Sequence, residues 1–376
     1  MLSPRKIAVL AFSMFVSFVG QASAEDFRIG AIFPLSGANA DYGDLYMGAT
    51  ELAVSHLNEA KALGGKLSIA YEDSQALPQQ GVIAMNKLVN VEKVSYVLSA
   101  FTGVSKAIST TAMRSHTVAV NGGGVGPDLA ELGEYFWNVI PLANFEVRAM
   151  APYLVQKRGL KRVVLVYVDD PLGQSIKREL ESSLPPLGGM LAEALSVPSN
   201  AQQFSGIAAR VRDANPDVVY IASFGAQQSQ IIKQLRDNGV TQQLASYSGF
   251  AIPAIANLPE AKGALFTTQR IDWNSEDPVT KRFTQEYQLK TKRAPTAYAA
   301  NYYNAVLLFG TLASAVQKAG QPVTGENLLA KRREIGAFDL VGGRLSFEKD
   351  GTIRSAMQIN EVDGGAGKVV EVVAAP

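Results

Sequence analysis

The sequence predicts an α/β protein made of two doubly wound parallel-sheet lobes. Short apolar runs alternate with helical patterns along most of the chain, which is typical of a parallel sheet covered by helices. The alternation starts again after Pro141, so a second lobe similar to the first is expected. A length of 376 residues is also long for a single core and favours two domains.

The first half of the chain follows this strand-and-helix order. Residues 27–33 alternate apolar and small side chains and end at Pro34, as a strand would. Residues 43–60 carry apolar side chains at helical spacing. The same criteria predict strands over 66–71, 95–100 and 117–120, and helices over 82–89 and 105–114.

The order continues beyond Pro141. Residues 162–168 are nearly all β-branched or apolar, which suits a central strand buried on both faces. Asn144 is a suitable N-cap for a helix over 144–158, and Gly239 is a suitable C-cap for one over 226–238. Further helices are predicted over 172–184 and 204–214, and further strands over 218–222 and 263–268.

From Asp277 onward the pattern is mostly helical, with a long apolar helix over 299–318 and short strands over 342–347 and 354–359. These elements are too few for a third domain, so we expect them to complete the two lobes. The chain would then cross between lobes near Pro141, Arg270 and Asp350. This predicts a first lobe of residues 25–141 plus 271–350 and a second of 142–270 plus 351–376.

The N-terminus has the features of a secretory signal peptide. Arg5 and Lys6 precede an apolar run of about 13 residues, short of the ~20 that span a bilayer. Ala22-Ser23-Ala24 is a cleavage site of small residues, so residues 1–24 are predicted to be removed. Without a cysteine for a lipid anchor, the exported chain is expected to be retained as a soluble protein in a periplasm.

Composition excludes several classes of protein. The formal charge of +1 becomes −1 once Arg5 and Lys6 are removed, and no basic cluster suits nucleic acid. The absence of cysteine excludes disulfides and thiolate chemistry. His56 and His116 lie far apart in the order of elements, so no metal pair is expected. The glycine run 122–126 lacks a nucleotide-binding pattern, and we predict no cofactor and no enzyme activity.

Two stretches at predicted strand ends suit a small anion. Residues 100–105 (AFTGVS) lead from a strand into a helical pattern, and residues 121–124 (NGGG) open a loop after the next strand. Backbone N–H groups at adjacent strand ends and helix N-termini attract anions such as carboxylates. Because no catalytic constellation accompanies them, they indicate capture of a small molecule.

Several motifs in order resemble one family of receptors. They are IGAIFPLSG over 29–37, DYG over 41–43, YEDS over 71–74, PLG over 171–173, and Phe283, Tyr287, Pro295 and YNAV over 303–306. Together they resemble the leucine/isoleucine/valine-binding type of periplasmic solute-binding protein of ABC importers, over residues 25 to about 351. The resemblance implies two lobes joined by three hinge strands, a ligand clamped between them, and delivery to an inner-membrane ABC permease by a monomer.

The resemblance also assigns ligand contacts. The loop after the family's fourth strand, which holds the ligand carboxylate, falls on Phe101, Thr102 and Gly103. A second contact falls on Gly123 and Gly124, and Tyr42 matches an aromatic side chain that lies against the ligand. Three further positions depart from the amino-acid binders, because Val125, Leu172 and Phe224 replace residues that carry hydroxyl groups.

The departure with the largest consequence lies at residues 248–250. Amino-acid binders carry here a glutamate that pairs with the ligand's ammonium, whereas this chain has Phe250 and no acidic residue between Asp237 and Glu260. A buried ammonium without a partner is costly. The sequence therefore favours an organic acid with an apolar or aromatic body, unless Glu260 or Asp272 reaches the site. An amino acid as ligand, and a ligand sensor of the same fold, are the alternatives.

Overall fold

The computed structural model describes residues 26–364 and 367–374, so the predicted signal peptide over 1–24 lies outside the described residues. The first third of the chain alternates strands and helices. Its strands are β1 (Phe27–Phe33), β2 (Leu67–Asp73), β3 (Tyr96–Ser99), β4 (Val118–Asn121) and β5 (Phe136–Asn138). Its helices are α1 (Ala40–Glu59), α2 (Pro78–Asn90) and α3 (Thr102–Ser115).

The five strands form one parallel sheet in the order β2-β1-β3-β4-β5. The strands β3, β4 and β5 are buried throughout, as expected for a parallel sheet with helices over its faces. Because parallel strands all end at the same edge, the segments after β2, β3 and β4 lie along one edge of the sheet.

The middle of the chain repeats the pattern. Its strands are β6 (Arg162–Val168), β7 (Met190–Val197), β8 (Val218–Ala222), β9 (Gln243–Ser246) and β10 (Leu265–Gln269). Its helices are α4 (Ala143–Pro152), which continues as one π-helical turn (Tyr153–Lys157), α5 (Pro171–Ser183), α6 (Ser205–Ala214), α7 (Gly225–Asp237) and α8 (Pro253–Ala256). These strands are parallel and form most of a second sheet.

The last third of the chain is shared between the two sheets. It contains α9 (Pro278–Thr291), α10 (Ala297–Lys318), α11 (Gly325–Ile335), β11 (Ala337–Leu340), β12 (Gly343–Ser346), β13 (Met357–Glu361) and β14 (Lys368–Val373). Helices α9 and α10 pack on α1, beside the first sheet. Strands β13 and β14 join the second sheet antiparallel at its edge, which gives the order β14-β13-β10-β9-β8-β6-β7.

We call the five-stranded sheet with its helices the first lobe and the seven-stranded sheet with its helices the second lobe. The predicted fold class, two doubly wound α/β lobes, is confirmed. Hydrogen bonds join the segments that pass between the lobes: the Asn138 N–H donates to the Gly351 carbonyl at 2.8 Å, and the Arg270 N–H donates to the Ala356 carbonyl at 2.7 Å. The residue boundaries given above for each lobe stay a prediction.

Within the described part of the chain, no helix is long and apolar enough to cross a membrane.

Candidate functional site: a cavity between the lobes

A cavity of about 330 Å³ lies between the two lobes. Its size is that of a site for a small molecule. Both lobes contribute to its wall, which consists of Asn39, Tyr42, Tyr46, Gln75, Ala76, Leu77, Pro78, Phe101, Thr102, Gly103, Gly123, Gly124, Val125, Asp170, Pro171, Leu172, Ser199, Asn200, Phe224, Tyr247 and Tyr298.

Strand ends supply most of this wall. In the first lobe it is formed by the segments that follow β2, β3 and β4, and in the second lobe by those that follow β6, β7, β8 and β9. Open parallel sheets bind ligands at the carboxyl ends of their strands, so the topology of both sheets places this cavity. Helices α1 and α10 add tyrosine side chains from the first lobe.

The N-terminus of α3 forms one polar part of the wall. Phe101 precedes the helix with a φ of 65°, and no side chain among the described residues caps the first turn. The Thr102 hydroxyl oxygen accepts a hydrogen bond from the Gly126 N–H at 3.0 Å, so its own proton is available to a ligand. The first-turn N–H groups of this 14-residue helix carry partial positive charge, which favours an anion.

The glycine loop after β4 differs from the sequence prediction. The Asn121 side-chain oxygen accepts hydrogen bonds from the Gly123 N–H at 3.2 Å and the Gly124 N–H at 2.7 Å. The expectation that the N–H groups of this loop are available to an anion was therefore wrong for Gly123 and Gly124, because the side chain of Asn121, the last residue of β4, already accepts from them. The loop lines the cavity and packs against the start of α3, where a Cβ on Gly124 would lie 2.9 Å from the Thr102 nitrogen.

Aromatic rings from both lobes meet at the cavity. The ring centroid of Phe101 lies 5.3 Å from that of Tyr42 and 5.2 Å from that of Phe224, both edge to face. Phe224 belongs to the second lobe, so this cluster spans the gap between the lobes. Tyr298 from α10 lies 6.1 Å from Tyr42, also edge to face. These rings give the cavity an apolar and aromatic side.

Among the described residues, Asp170 is the one carboxylate on the cavity wall, and no Lys, Arg or His side chain lines it. Asp170 caps α5 by accepting the Gly173 N–H at 2.8 Å. Burial raises the pKa of the Asp170 carboxyl to about 6, although the backbone N–H groups of Gly173 and Leu172 oppose the shift. The capping role already occupies one of its oxygens.

A second carboxyl lies behind the wall. Glu146 in α4 is buried, and its two oxygens accept hydrogen bonds from the Ser248 N–H at 2.6 Å and the Ser248 hydroxyl at 2.8 Å. The Ser248 hydroxyl is 3.0 Å from the Tyr298 hydroxyl. A continuous line of hydrogen bonds thus runs from a buried carboxyl to a residue of the cavity wall.

The structure brings nine of the ten residues predicted from sequence to this cavity: Tyr42, Phe101, Thr102, Gly103, Gly123, Gly124, Val125, Leu172 and Phe224. Phe250 does not line it. It is fully buried in a 3-10 turn (Ser248–Ala251), and Tyr247, which follows β9 directly, lines the cavity instead. Neither Glu260 nor Asp272 reaches the wall. Contact of the nine residues with a ligand stays a prediction.

Sequence reasoning missed the polar and tyrosine part of the wall. Tyr46 and Tyr298 lie on α1 and α10, and a helical pattern alone does not say which side faces a cavity. Asp170, Ser199 and Tyr247 each follow a strand of the second sheet. Ligands bind beyond the carboxyl ends of parallel strands, so Ser199 and Tyr247 would have been predicted as site residues had β7 and β9 been recognised as strands.

Within residues 26–364 and 367–374, no group of three or more His, Cys, Asp and Glu side chains could hold a metal ion.

A family model described as periplasmic binding protein matches residues 26–367, nearly all of the described chain. The chain belongs to the periplasmic binding protein family.

Relatives resemble this chain in sequence, and solved structures resemble it in fold, over almost its full length. The chain is 27% identical over 352 residues to the Leu/Ile/Val-binding protein homolog 1 of Brucella melitensis, with 91% of each chain covered. A leucine-binding protein of Thermotoga maritima is 22% identical with a TM-score of 0.83, over 93% of this chain and 99% of that one. A solute-binding protein of R. palustris in complex with benzoate is 17% identical with a TM-score of 0.84, over 94% and 98%.

Proposed function

We propose that this protein is the periplasmic receptor of an ABC importer and that it captures a small organic acid with an apolar or aromatic body. The lobes close over the ligand, and the loaded form delivers it to the inner-membrane permease as a monomer. One observation carries the proposal: the cavity between the lobes has an uncapped helix N-terminus on one side and aromatic rings from both lobes on another.

The start of α3 is the proposed carboxylate site. Its uncapped first turn, the Thr102 hydroxyl and the open backbone of Gly103 provide donors and room without a cationic side chain. Buried carboxylates are stabilised by such hydrogen bonds and by the helix dipole. Tyr42, Phe101 and Phe224 would then enclose the apolar body of the ligand.

The side chains that the second lobe contributes to the cavity support an organic acid over an amino acid as the ligand. The positions facing α3 across the cavity include Leu172 and Phe224, which offer no hydrogen bond through their side chains. A protein of similar fold is described in complex with benzoate, which supports an aromatic acid as the ligand class.

An amino acid remains the second candidate, because Asp170 lines the cavity and carries the only acidic group of the described wall. An ionised Asp170 could pair with an ammonium group. Its capping bond to the Gly173 N–H and its raised pKa both disfavour that role. A protein of similar fold is described as leucine-binding, which supports an amino acid as the second candidate ligand.

Calorimetric titration with benzoate, 4-methyl-2-oxopentanoate and leucine tests the proposal, using the protein without its signal peptide. We expect at least one of the two acids to bind more tightly than leucine. Asp170→Asn retains a capping side chain and removes a negative charge, so it should strengthen binding of an acid and weaken binding of leucine. Tight leucine binding that Asp170→Asn weakens, with no response to either acid, would reject the proposed ligand class.

A further inference from the structure

Glu146 is a buried carboxyl group that the proposed binding mode does not use. It is about 1% exposed, and both of its oxygens accept hydrogen bonds from Ser248. Ser248 belongs to the second lobe, whereas its next partner, Tyr298, comes from α10 of the first. Tyr298 lines both the main cavity and the small adjoining one that contains Glu146 and Ser248. The state of Glu146 can therefore be transmitted to the ligand through two hydroxyl groups.

The surroundings of Glu146 contain tyrosines and no described cation. The nearby titratable groups are Tyr220 from β8, Tyr247 after β9 and Tyr298 from α10. From β10, Thr267 assists Ser248 in lowering the pKa of Glu146. No charged group of β13 or α5, which also pack on α4, is among the causes of its shift.

Burial outweighs these hydrogen bonds and raises the pKa of Glu146 to about 8. Desolvation disfavours the charged carboxylate, and no cation within the described surroundings compensates for it. Protonated and ionised forms are therefore both accessible near neutral pH.

The hydroxyl protons differ between the two forms. In the ionised form the carboxylate accepts the Ser248 hydroxyl proton, so the Ser248 oxygen must accept from Tyr298, whose own oxygen is left as an acceptor toward the cavity. In the protonated form Glu146 can donate to the Ser248 oxygen. Ser248 then donates to Tyr298, and the Tyr298 proton is free to point at the ligand.

We propose that Glu146 is a positioning residue whose protonation state sets, through Ser248, whether the Tyr298 hydroxyl donates to the bound ligand or accepts from it. This inference rests on the proposed function, in which a carboxylate ligand occupies the cavity. Such a ligand favours the protonated form, because that form removes a nearby like charge and supplies a donor. Binding therefore takes up a fraction of a proton, and affinity falls as the pH rises past neutrality.

Calorimetry with benzoate between pH 6.5 and 8.5, in two buffers of different ionisation enthalpy, measures both effects. For the wild type, a rise of one unit in the pKa of Glu146 on binding should raise the Kd by about threefold over this range, toward a limit of about tenfold at higher pH, with proton uptake near pH 8. Glu146→Gln is neutral and can donate to Ser248. It should bind benzoate at pH 8.5 nearly as the wild type does at pH 6.5, with a flat profile and no uptake near pH 8, where Asp170 is already ionised.

Tyr298→Phe separates the hydrogen-bond relay from a direct effect of charge, since it leaves Glu146 and Ser248 in place. We expect it to reduce the change in Kd with pH, and an unchanged profile would overturn the relay.

Glu181→Gln is the matched control: Glu181 is an exposed residue of α5, so the wild-type profile should remain. Benzoate binding with the same flat profile in wild type and Glu146→Gln would overturn the inference alone. Absence of binding of both benzoate and 4-methyl-2-oxopentanoate at every pH would overturn the proposed function and this inference with it.

Discussion

Phe101 holds a backbone conformation that ordinary residues avoid, with a φ of 65° and a ψ of 137°. Such a conformation costs roughly 1–3 kcal/mol and persists only where the surrounding structure imposes it. Here the residue joins the end of β3 to the uncapped start of α3, and its ring lies between Tyr42 and Phe224. The strain is located where one residue must serve as a helix entry and as part of the cavity wall.

Glu146 gives a prediction on stability that needs no ligand. Its pKa is raised from 4.5 to about 8 in the folded protein, so the folded state binds more protons than the unfolded state between these values. The contribution is fully present below pH 4.5 and is lost as the pH rises through 8. The free energy of unfolding should fall by about 1.4 kcal/mol per pH unit at most between pH 6 and 8.

Urea denaturation of the ligand-free protein at pH 6, 7 and 8 measures this slope. Glu146→Gln should lose the part of the slope that Glu146 causes, while Glu181→Gln should keep the wild-type slope. Equal slopes in wild type and Glu146→Gln would show that Glu146 titrates as an ordinary exposed carboxyl.

At the scale of elements, strands buried on both faces were predicted most accurately. The bounds of β1, β6 and β8 agree with the sequence prediction. β6 and β8 are almost entirely apolar and are followed by polar residues, and β1 alternates apolar and small residues and ends at Pro34. The sequence did not reveal β7 and β9. β7 is an edge strand whose residues are mostly half-buried, and β9 has only four residues. The C-terminal β14, also an edge strand, was missed for the same reason.

These missed strands explain what was missing from the predicted site. The residues that follow β7 and β9 belong to the cavity wall, so overlooking the strands also hid Ser199, Asn200 and Tyr247. The first-lobe contacts were easier to predict, because β3 and β4 are clear apolar runs followed directly by small residues. The hydrogen bonds of Asn121 depend on side-chain direction and could not be read from the sequence.

The N-terminus of α3 supports a prediction on ligand binding. Thr102→Val removes the hydroxyl that we expect to donate to the ligand carboxylate, and a hydrogen bond to a charged group contributes about 1.5–3 kcal/mol. Benzoate affinity should therefore fall by about tenfold or more in calorimetry. Thr102→Val also leaves the buried Gly126 N–H without its acceptor, so a lower melting temperature of the variant is expected.

Thr102→Ser is the matched control, since it keeps the hydroxyl and loses only a methyl group. Its affinity for benzoate should remain within a few-fold of wild type. Should Thr102→Val bind benzoate as tightly as Thr102→Ser, the carboxylate is held elsewhere in the cavity.

At the scale of the whole molecule, the two lobes touch at the cavity through very close contacts. Gly225, at the start of α7 in the second lobe, has a φ of 59°, and a Cβ there would lie 2.0 Å from the Asn39 side-chain oxygen of the first lobe. No other side chain fits at this position with the lobes so placed. In the proposed function the lobes close over the ligand, so we expect an obstacle at this contact to shift the balance between open and closed forms.

Gly225→Ala should therefore favour the open form and weaken benzoate binding by at least tenfold, or about 1.4 kcal/mol. Adding Asn39→Ala removes the oxygen that the new methyl group would strike, and we expect it to restore part of the affinity. The backbone strain of alanine at a positive φ remains in the double variant, so recovery can only come from the contact between lobes.

Gly206→Ala is the matched control, because a Cβ there meets no atom within 4 Å. Small-angle scattering should show that Gly225→Ala stays more extended than Gly206→Ala at saturating benzoate. If the two variants match in affinity and in radius of gyration, the lobes do not need this contact to hold the ligand.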